Sequence, residues 1–164
     1  DGLVVRRWMR NSVPPPTYQR TYGFSGNIDR WMEITFVPGL IRIYVGANDA
    51  GQGVDQGGHM DPLGIRIFNG ITPESNGSTH YFWSAAHNFK VADPAVTQAF
   101  FEEIAATFEE DKIVIEAQQE RFEQFPDRKT VGLRSDAGGV YARRLIAEGI
   151  RSEAARVQQD AVEA

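Results

Sequence analysis

Residues 93–125 read DPAVTQAFFEEIAATFEEDKIVIEAQQERFEQF, and this stretch decides the fold. Asp93 followed by Pro94 forms a helix N-cap and first helical residue, and neither Gly nor Pro interrupts the run until Pro126. At about 100° per residue, Phe100, Ile104, Phe108, Ile115 and Phe122 fall within roughly 60° of one direction. Asp111 projects along the middle of that stripe. Glu102 and Glu109 point away from it, and Glu103 and Glu110 lie at its flanks. A carboxylate in an apolar stripe is costly to bury unless it is paired, hydrogen-bonded or bound to a metal. Two readings follow. Asp111 ion-pairs with a neighbouring Arg or caps an adjacent amide, or it is one ligand of a metal whose other ligands lie elsewhere. A carboxylate joined by two imidazoles, with positions left open, suits ferrous iron.

Upstream of the helix, period-two patterns replace the helical one. Residues 2–10, GLVVRRWMR, read as a first strand, and Asn11 to Pro16 as an extended connector that its three prolines keep unpaired. Tyr18 to Phe24 is expected to form a short strand. In residues 28–37, IDRWMEITFV, Met32, Ile34 and Phe36 alternate with Trp31, Glu33 and Thr35, which predicts a half-buried strand. Pro38-Gly39 turns the chain, and Leu40 to Val45 returns as its antiparallel partner. Gly46 to Gly64 holds six glycines with Asn48, Asp49, Asp55 and Asp61, and reads as one long loop. It matches neither a dinucleotide fingerprint nor a P-loop. Leu63 to Ile71 and Ser78 to Lys90 read as two more strands. The second puts His80, Phe82, Ser84 and Ala86 on one face and Tyr81, Trp83, Ala85 and His87 on the other. Both faces are largely apolar, so this strand is expected to be covered on both sides. Beyond Pro126, Lys129 to Arg134 reads as a short extended piece and Ser135 or Asp136 as the cap of a second helix. Strands followed by helices argue for an α+β domain, a curved antiparallel sheet with a long helix across its concave face.

The 164 residues suit one domain, with 41% hydrophobic and 24% charged side chains. Seventeen basic against twenty-two acidic residues, with no dense basic patch, argue against a nucleic-acid partner. No apolar run is long enough to span a bilayer, and the start carries no signal-peptide pattern. There is no cysteine, which excludes disulfides, thiolate metal sites and iron–sulfur ligation within these residues and is compatible with the cytoplasm, the expected compartment.

Three histidines are present. His80 and His87 face opposite sides of one strand roughly 23 Å apart, so they cannot share a metal without a sharp bend. His59 falls in the glycine-rich segment. His80 reads either as a core histidine donating to a backbone carbonyl or as a polar group lining a ligand cavity. Trp83, Phe82 and Tyr81 read as core. Gln118 follows Asp111 by about two turns on the same face, where it can hold a group that supports a metal ligand or bond the chain's own backbone.

Thr72-Pro73-Glu74, then Ser78-Thr79-His80-Tyr81-Phe82-Trp83 and Asn88-Phe89, together with Phe108-Glu109-Glu110-Asp111 and Glu116-Ala117-Gln118-Gln119, resemble the Rieske non-haem iron oxygenases. The likeness is greatest to the C-terminal catalytic domain of the oxygenase subunits of vanillate O-demethylase-like aromatic-acid oxygenases. It runs over essentially the whole chain. The resemblance implies a helix-grip (START/SRPBCC-like) fold, present here as an incomplete, single C-terminal portion of the catalytic domain. It also implies a mononuclear Fe(II) held by two His and one carboxylate, and the family's carboxylate falls on Asp111. The family's Asp-x-x-His…His segment and its [2Fe–2S] Cys-x-His…Cys-x-x-His domain are not among these residues.

The implied activity is that of an oxidoreductase of aromatic catabolism. Dioxygen and electrons from a reductase component are used to O-demethylate or hydroxylate an aromatic, carboxylate-bearing substrate, as a monooxygenase or dioxygenase, in a homotrimer. In a complete site His80 and Asn69 are candidates for binding the substrate's carboxylate or phenol. With one ligand of three, the chain by itself is expected to be inactive. The alternative is a stand-alone, non-catalytic helix-grip module for a small apolar or aromatic ligand, for which a carboxylate at Asp111 has little use.

Overall fold

Alternation in the first half of the chain builds an antiparallel meander, and the uninterrupted run after Pro94 builds a helix that lies along its last strand. The computed structural model describes residues 2–52, 63–129 and 131–163. In order these form β1 (Leu3–Ser12), α1 (Pro16–Thr21), β2 (Ile28–Val37), β3 (Leu40–Asp49), β4 (Leu63–Pro73), β5 (Thr79–His87), α2 (Pro94–Gln124), a 3-10 turn (Arg134–Asp136) and α3 (Ala137–Glu163). The five strands form one sheet in the order β1-β2-β3-β4-β5, each pair antiparallel, so the architecture is the expected α+β with an open sheet.

The register fixes the faces, because residues directly opposite each other share one. Val5↔Ile34, Ile34↔Ile43, Ile43↔Ile67 and Ile67↔Ala85 define an inner face, which also carries Ile28, Ala47, Leu63, Ile65, Asn69, Tyr81, Trp83 and His87. The core gathers at one end of it, where Ile28, Ala47, Leu63 and Ile65 meet Tyr18 of α1, Phe24, Phe89 and Phe100 of α2. Asp93 caps α2 by accepting from the amide of Ala95 at 3.0 Å, with Pro94 in the first turn, as its sequence requires. Phe100, 2% exposed, then anchors the helix edge-on against His87 and Phe89.

Several expectations are corrected. Tyr18 to Phe24 is no strand: Pro16 opens a short helix, since its ring presets the helical φ and the missing amide is not needed in a first turn. That helix buries Tyr18 in the core and is tied to α2 by Thr17 and Arg20, both on the Glu103 carboxylate. Gly46 to Asp49 belongs to β3 rather than to a loop, and β4 already begins at Leu63. Glycine is tolerated in that strand because the Trp31 ring lies over Gly46 where a side chain would stand. Residues 53–62 of the expected loop, with Asp55, His59 and Asp61, lie outside the described residues. Residues 131–133 form no strand, and Asp136 instead closes the turn before α3 by accepting from the Leu133 amide at 2.8 Å.

β5 is not covered on both sides. It is an edge strand among the described residues, with Phe82 61% exposed on its outer face. The helices also divide the inner face, α2 lying on β5 and α3 on β1 and β2. The packed part of α2 ends near Phe108, and Ile115, 63% exposed, and Phe122 do not reach the sheet.

Candidate functional site

Moving along β5 from His87 back to Tyr81 runs parallel to moving along α2 from Phe100 to Asp111, so the polar end of the helix meets the far end of the strand. Three aromatic contacts set that register. Trp83 stacks on Phe101 at 5.3 Å and meets Phe108 edge-on at 5.2 Å, while Tyr81 meets Phe108 edge-on at 5.8 Å. Asp111 follows Phe108 by three residues and therefore projects from nearly the same side of the helix. Across the ladder Asn69 sits opposite Trp83 and Ile71 opposite Tyr81, so Asn69 and Tyr81 share the inner face. The Tyr81 hydroxyl donates to the Asn69 Oδ1 at 2.7 Å. Asn69 is 2% exposed and is the only buried polar residue among those described.

Asp111 itself is exposed, which corrects the expectation of a buried acid. No hydrogen bond or ion pair to its carboxylate occurs among the described residues; the adjacent Lys112 instead pairs with Glu109 at 3.2 Å. Its charge is nevertheless felt at the sheet. Burial first, and then the negative charge of Asp111, push the Tyr81 phenol above its ordinary value of 10.0. Asp111, Tyr81 and Asn69 therefore make one constellation, with Phe108 and Trp83 as its apolar wall.

The other expected residues lie elsewhere. His80 projects from the outer face of β5, stacked on Phe82 at 6.1 Å and 3.5 Å from the Glu74 carboxylate, so the structure does not bring it to Asn69 or Asp111. Sequence alternation had separated the two faces of β5 without telling which one the helix covers. Gln118 is exposed and stands about 10 Å further along α2 than Asp111. There it lines a cleft of about 930 Å³ between the ends of α2 and α3, with Arg121, Phe122, Arg128 and Arg143. His87 is engaged on both nitrogens, with the Phe89 carbonyl at 2.8 Å and the Thr97 hydroxyl at 3.0 Å. A second cavity, about 430 Å³, opens on the outer face beside Arg42, Tyr44 and Arg66, away from Asp111.

No three His, Asp or Glu side chains gather into a possible metal site among the described residues. Asp111 offers a single open carboxylate, so these residues alone do not fit a complete mononuclear iron site. Tyr81 is the site residue that sequence reasoning assigned to the core. The available signal was its alternation with His80, which becomes decisive only once the β4–β5 register puts Tyr81 beside Asn69. No helix among the described residues is long and apolar enough to cross a membrane.

Residues 1–152 match the family described as the vanillate O-demethylase oxygenase C-terminal domain. The chain is 31% identical over 153 residues to the putative toluene-4-sulfonate monooxygenase system iron-sulfur subunit of Comamonas testosteroni, covering 92% of this chain and 44% of the relative. It is 32% identical over 152 residues to the vanillate O-demethylase oxygenase subunit of Pseudomonas sp. (strain HR199 / DSM 7063), covering 89% and 43%. It is 28% identical over 158 residues to the chloroacetanilide N-alkylformylase oxygenase component of Rhizorhabdus wittichii, covering 93% and 44%. The chain thus spans about half the length of the relatives it matches. No solved structure matches it.

Proposed function

The chain belongs to the vanillate O-demethylase oxygenase C-terminal domain family, and from that premise we propose that it is the C-terminal portion of the catalytic domain of a Rieske-type oxygenase component. The single observation that carries this reading is the exposed, unpaired Asp111 carboxylate beside the Tyr81–Asn69 pair. Asp111 supplies one carboxylate ligand to a mononuclear Fe(II). The two histidine ligands and the [2Fe–2S] domain come from the part of the full-length protein that these 164 residues do not include. When bound, the iron supplies the means of activating dioxygen with electrons from a reductase component. This chain's own residues position the substrate. Trp83 and Phe108 offer an apolar wall for an aromatic ring, and the Asn69 amide offers a hydrogen bond to a polar substituent. The relatives named for vanillate and toluene-4-sulfonate support an aromatic acid as substrate, oxidised by O-demethylation or hydroxylation. A cytoplasmic homotrimer completes the reading. His80, on the outer face, has no part in it, and Gln118 stands too far from Asp111 to support its carboxylate directly.

The test is iron content and product formation in the intact protein, for wild type, Asp111→Ala and Asp111→Asn. Loss of iron in both variants, with the fold retained by circular dichroism, is the expected result. An Asp111→Ala protein that holds iron and turns over normally sinks the ligand assignment.

A further inference from the structure

The outer face of the sheet carries a hollow that a mismatch in side-chain size produces. Arg66 and Phe68 of β4 stand opposite Ala86 and Ser84 of β5, so two long side chains face two short ones across the ladder. The space left between them is the cavity of about 430 Å³, room enough for a single-ring organic molecule. Phe68, 46% exposed, gives it an apolar side.

Two cations reach this hollow from adjacent strands. Arg42 of β3 stands opposite Phe68 and so lies diagonal to Arg66, with Cβ atoms about 7–8 Å apart. The Arg66 guanidinium sits 3.3 Å from the centre of the Tyr44 ring, a separation it reaches only by lying flat, since edge-on it would drive a nitrogen into the ring. Stacked this way it is held in place, and its N–H donors point outward around its edge. Neither Arg42 nor Arg66 has a carboxylate partner among the described residues. Glu33 is the one acid lining the cavity, and the Arg6 Nε holds it at 2.6 Å, so the charges of Arg42 and Arg66 are left unbalanced. The Ser84 hydroxyl, without a hydrogen bond among the described residues, adds a donor at the far side.

We propose that this hollow is a second ligand site, for a small aromatic carboxylate: the carboxylate bridges Arg42 and Arg66, and the ring lies against Phe68 above Ser84 and Ala86. A planar carboxylate matches the guanidinium fork, which favours it over a compact anion without a ring to place. The site lies on the opposite face of the sheet from Asp111, Tyr81 and Asn69, so it stands independently of the function proposed for them. Both arginines are exposed, so their attraction is screened and the affinity is modest and salt-sensitive.

Phenylglyoxal modifies accessible guanidinium groups and therefore reads the site residue by residue. Labelling rates at Arg42 and Arg66 are followed by peptide mass spectrometry in the intact protein, with benzoate, benzamide or acetate added. Benzoate is expected to slow both rates by about tenfold at saturation, while benzamide, which has the shape without the charge, leaves them unchanged. Acetate, which has the charge without the ring, should need about tenfold higher concentration for the same protection. Arg151, exposed on α3, should label at one rate throughout. Phe68→Ala should remove the advantage of benzoate over acetate, and Arg66→Lys, which keeps the charge but loses the stack and the fork, should weaken protection of Arg42 by about tenfold. Thermal melts confirm that both variants fold. The site is overturned if Arg42 and Arg66 fail to label without a probe, if benzoate protects neither, or if benzamide protects as well as benzoate. Equal protection by acetate and benzoate, or an advantage for benzoate that survives Phe68→Ala, overturns the aromatic class of ligand.

Discussion

Replacing Gly46 by alanine probes the outer face of the sheet at a single atom. Gly46 pairs with Trp31 on β2 and with Gly64 on β4, so its backbone is held from both sides. A Cβ built there falls 2.6 Å from Cε2 and 2.7 Å from Cη2 of the Trp31 ring, and closer still to Cζ2. The ladder cannot yield, so the indole must. Trp31 is 3% exposed and flanked by Trp8 at 6.3 Å and Tyr44 at 5.7 Å, which leaves it little room. Overpacking of this kind costs about 1–3 kcal/mol, and the depth of overlap puts Gly46→Ala at the upper end. Without the ring, the same change at an ordinary strand position stabilises by about 0.4–1 kcal/mol, because alanine restricts the unfolded chain. The sign should therefore reverse in a Trp31→Val background, with a coupling of about 3–4 kcal/mol between the two sites, the difference between the two effects. Urea midpoints of the four proteins close the cycle. If Gly46→Ala costs less than about 0.5 kcal/mol in wild type, or the same in both backgrounds, the ring does not lie over the glycine and the account of β3 is wrong.

Two further outcomes follow from the core. Phe100→Ala should destabilise by about 3–5 kcal/mol, measured by denaturant unfolding, because it removes the ring that joins α2 to His87 and Phe89; a cost near zero would mean that α2 is not anchored there. Tyr18 is raised above 10.0 by burial, partly offset by the Arg30 guanidinium over its ring. A raised folded pKa means that its stabilising contribution is intact below the unfolded value and is lost as pH climbs through the folded one. Unfolding midpoints taken between about pH 9 and about pH 11 should thus fall, and fall less in Tyr18→Phe.

Much of the sheet was legible because its patterns are long relative to their period. The ten-residue alternation of Ile28–Val37 and the Pro38-Gly39 turn specify β2, its hairpin and its register together. Short or contextual segments were not. Six residues after Pro16 cannot distinguish a helical turn from a strand by period, and the proline that looked like a breaker is the residue that starts α1. The glycine at position 46 resembled loop composition, yet its lack of a side chain answers to Trp31, fifteen positions away in sequence and opposite in the ladder. The face of β5 that receives the helix depends on the same kind of long-range pairing: alternation separates Tyr81 from His80 but does not say which of them α2 covers.

Asp111 shows where periodicity stops being informative. The helical period gives the side of α2 on which it projects, and Phe108, on nearly the same side, does pack against Tyr81. It could not give how far the sheet extends beneath the helix. A helix of 31 residues runs about 46 Å, whereas a strand of nine residues covers about 30 Å, so α2 must outrun β5. The stripe therefore changes meaning along its length. Phe100 is core, Phe108 is a wall beside Tyr81 and Trp83, and Ile115 is exposed. Asp111 falls between wall and overhang, close enough to the sheet for its charge to act on Tyr81 and open enough to remain unpaired. A buried structural ion pair would need the opposite placement, under cover and with a cation within reach. An open carboxylate at the rim of an aromatic wall is the placement that suits a ligand shared with another segment of polypeptide.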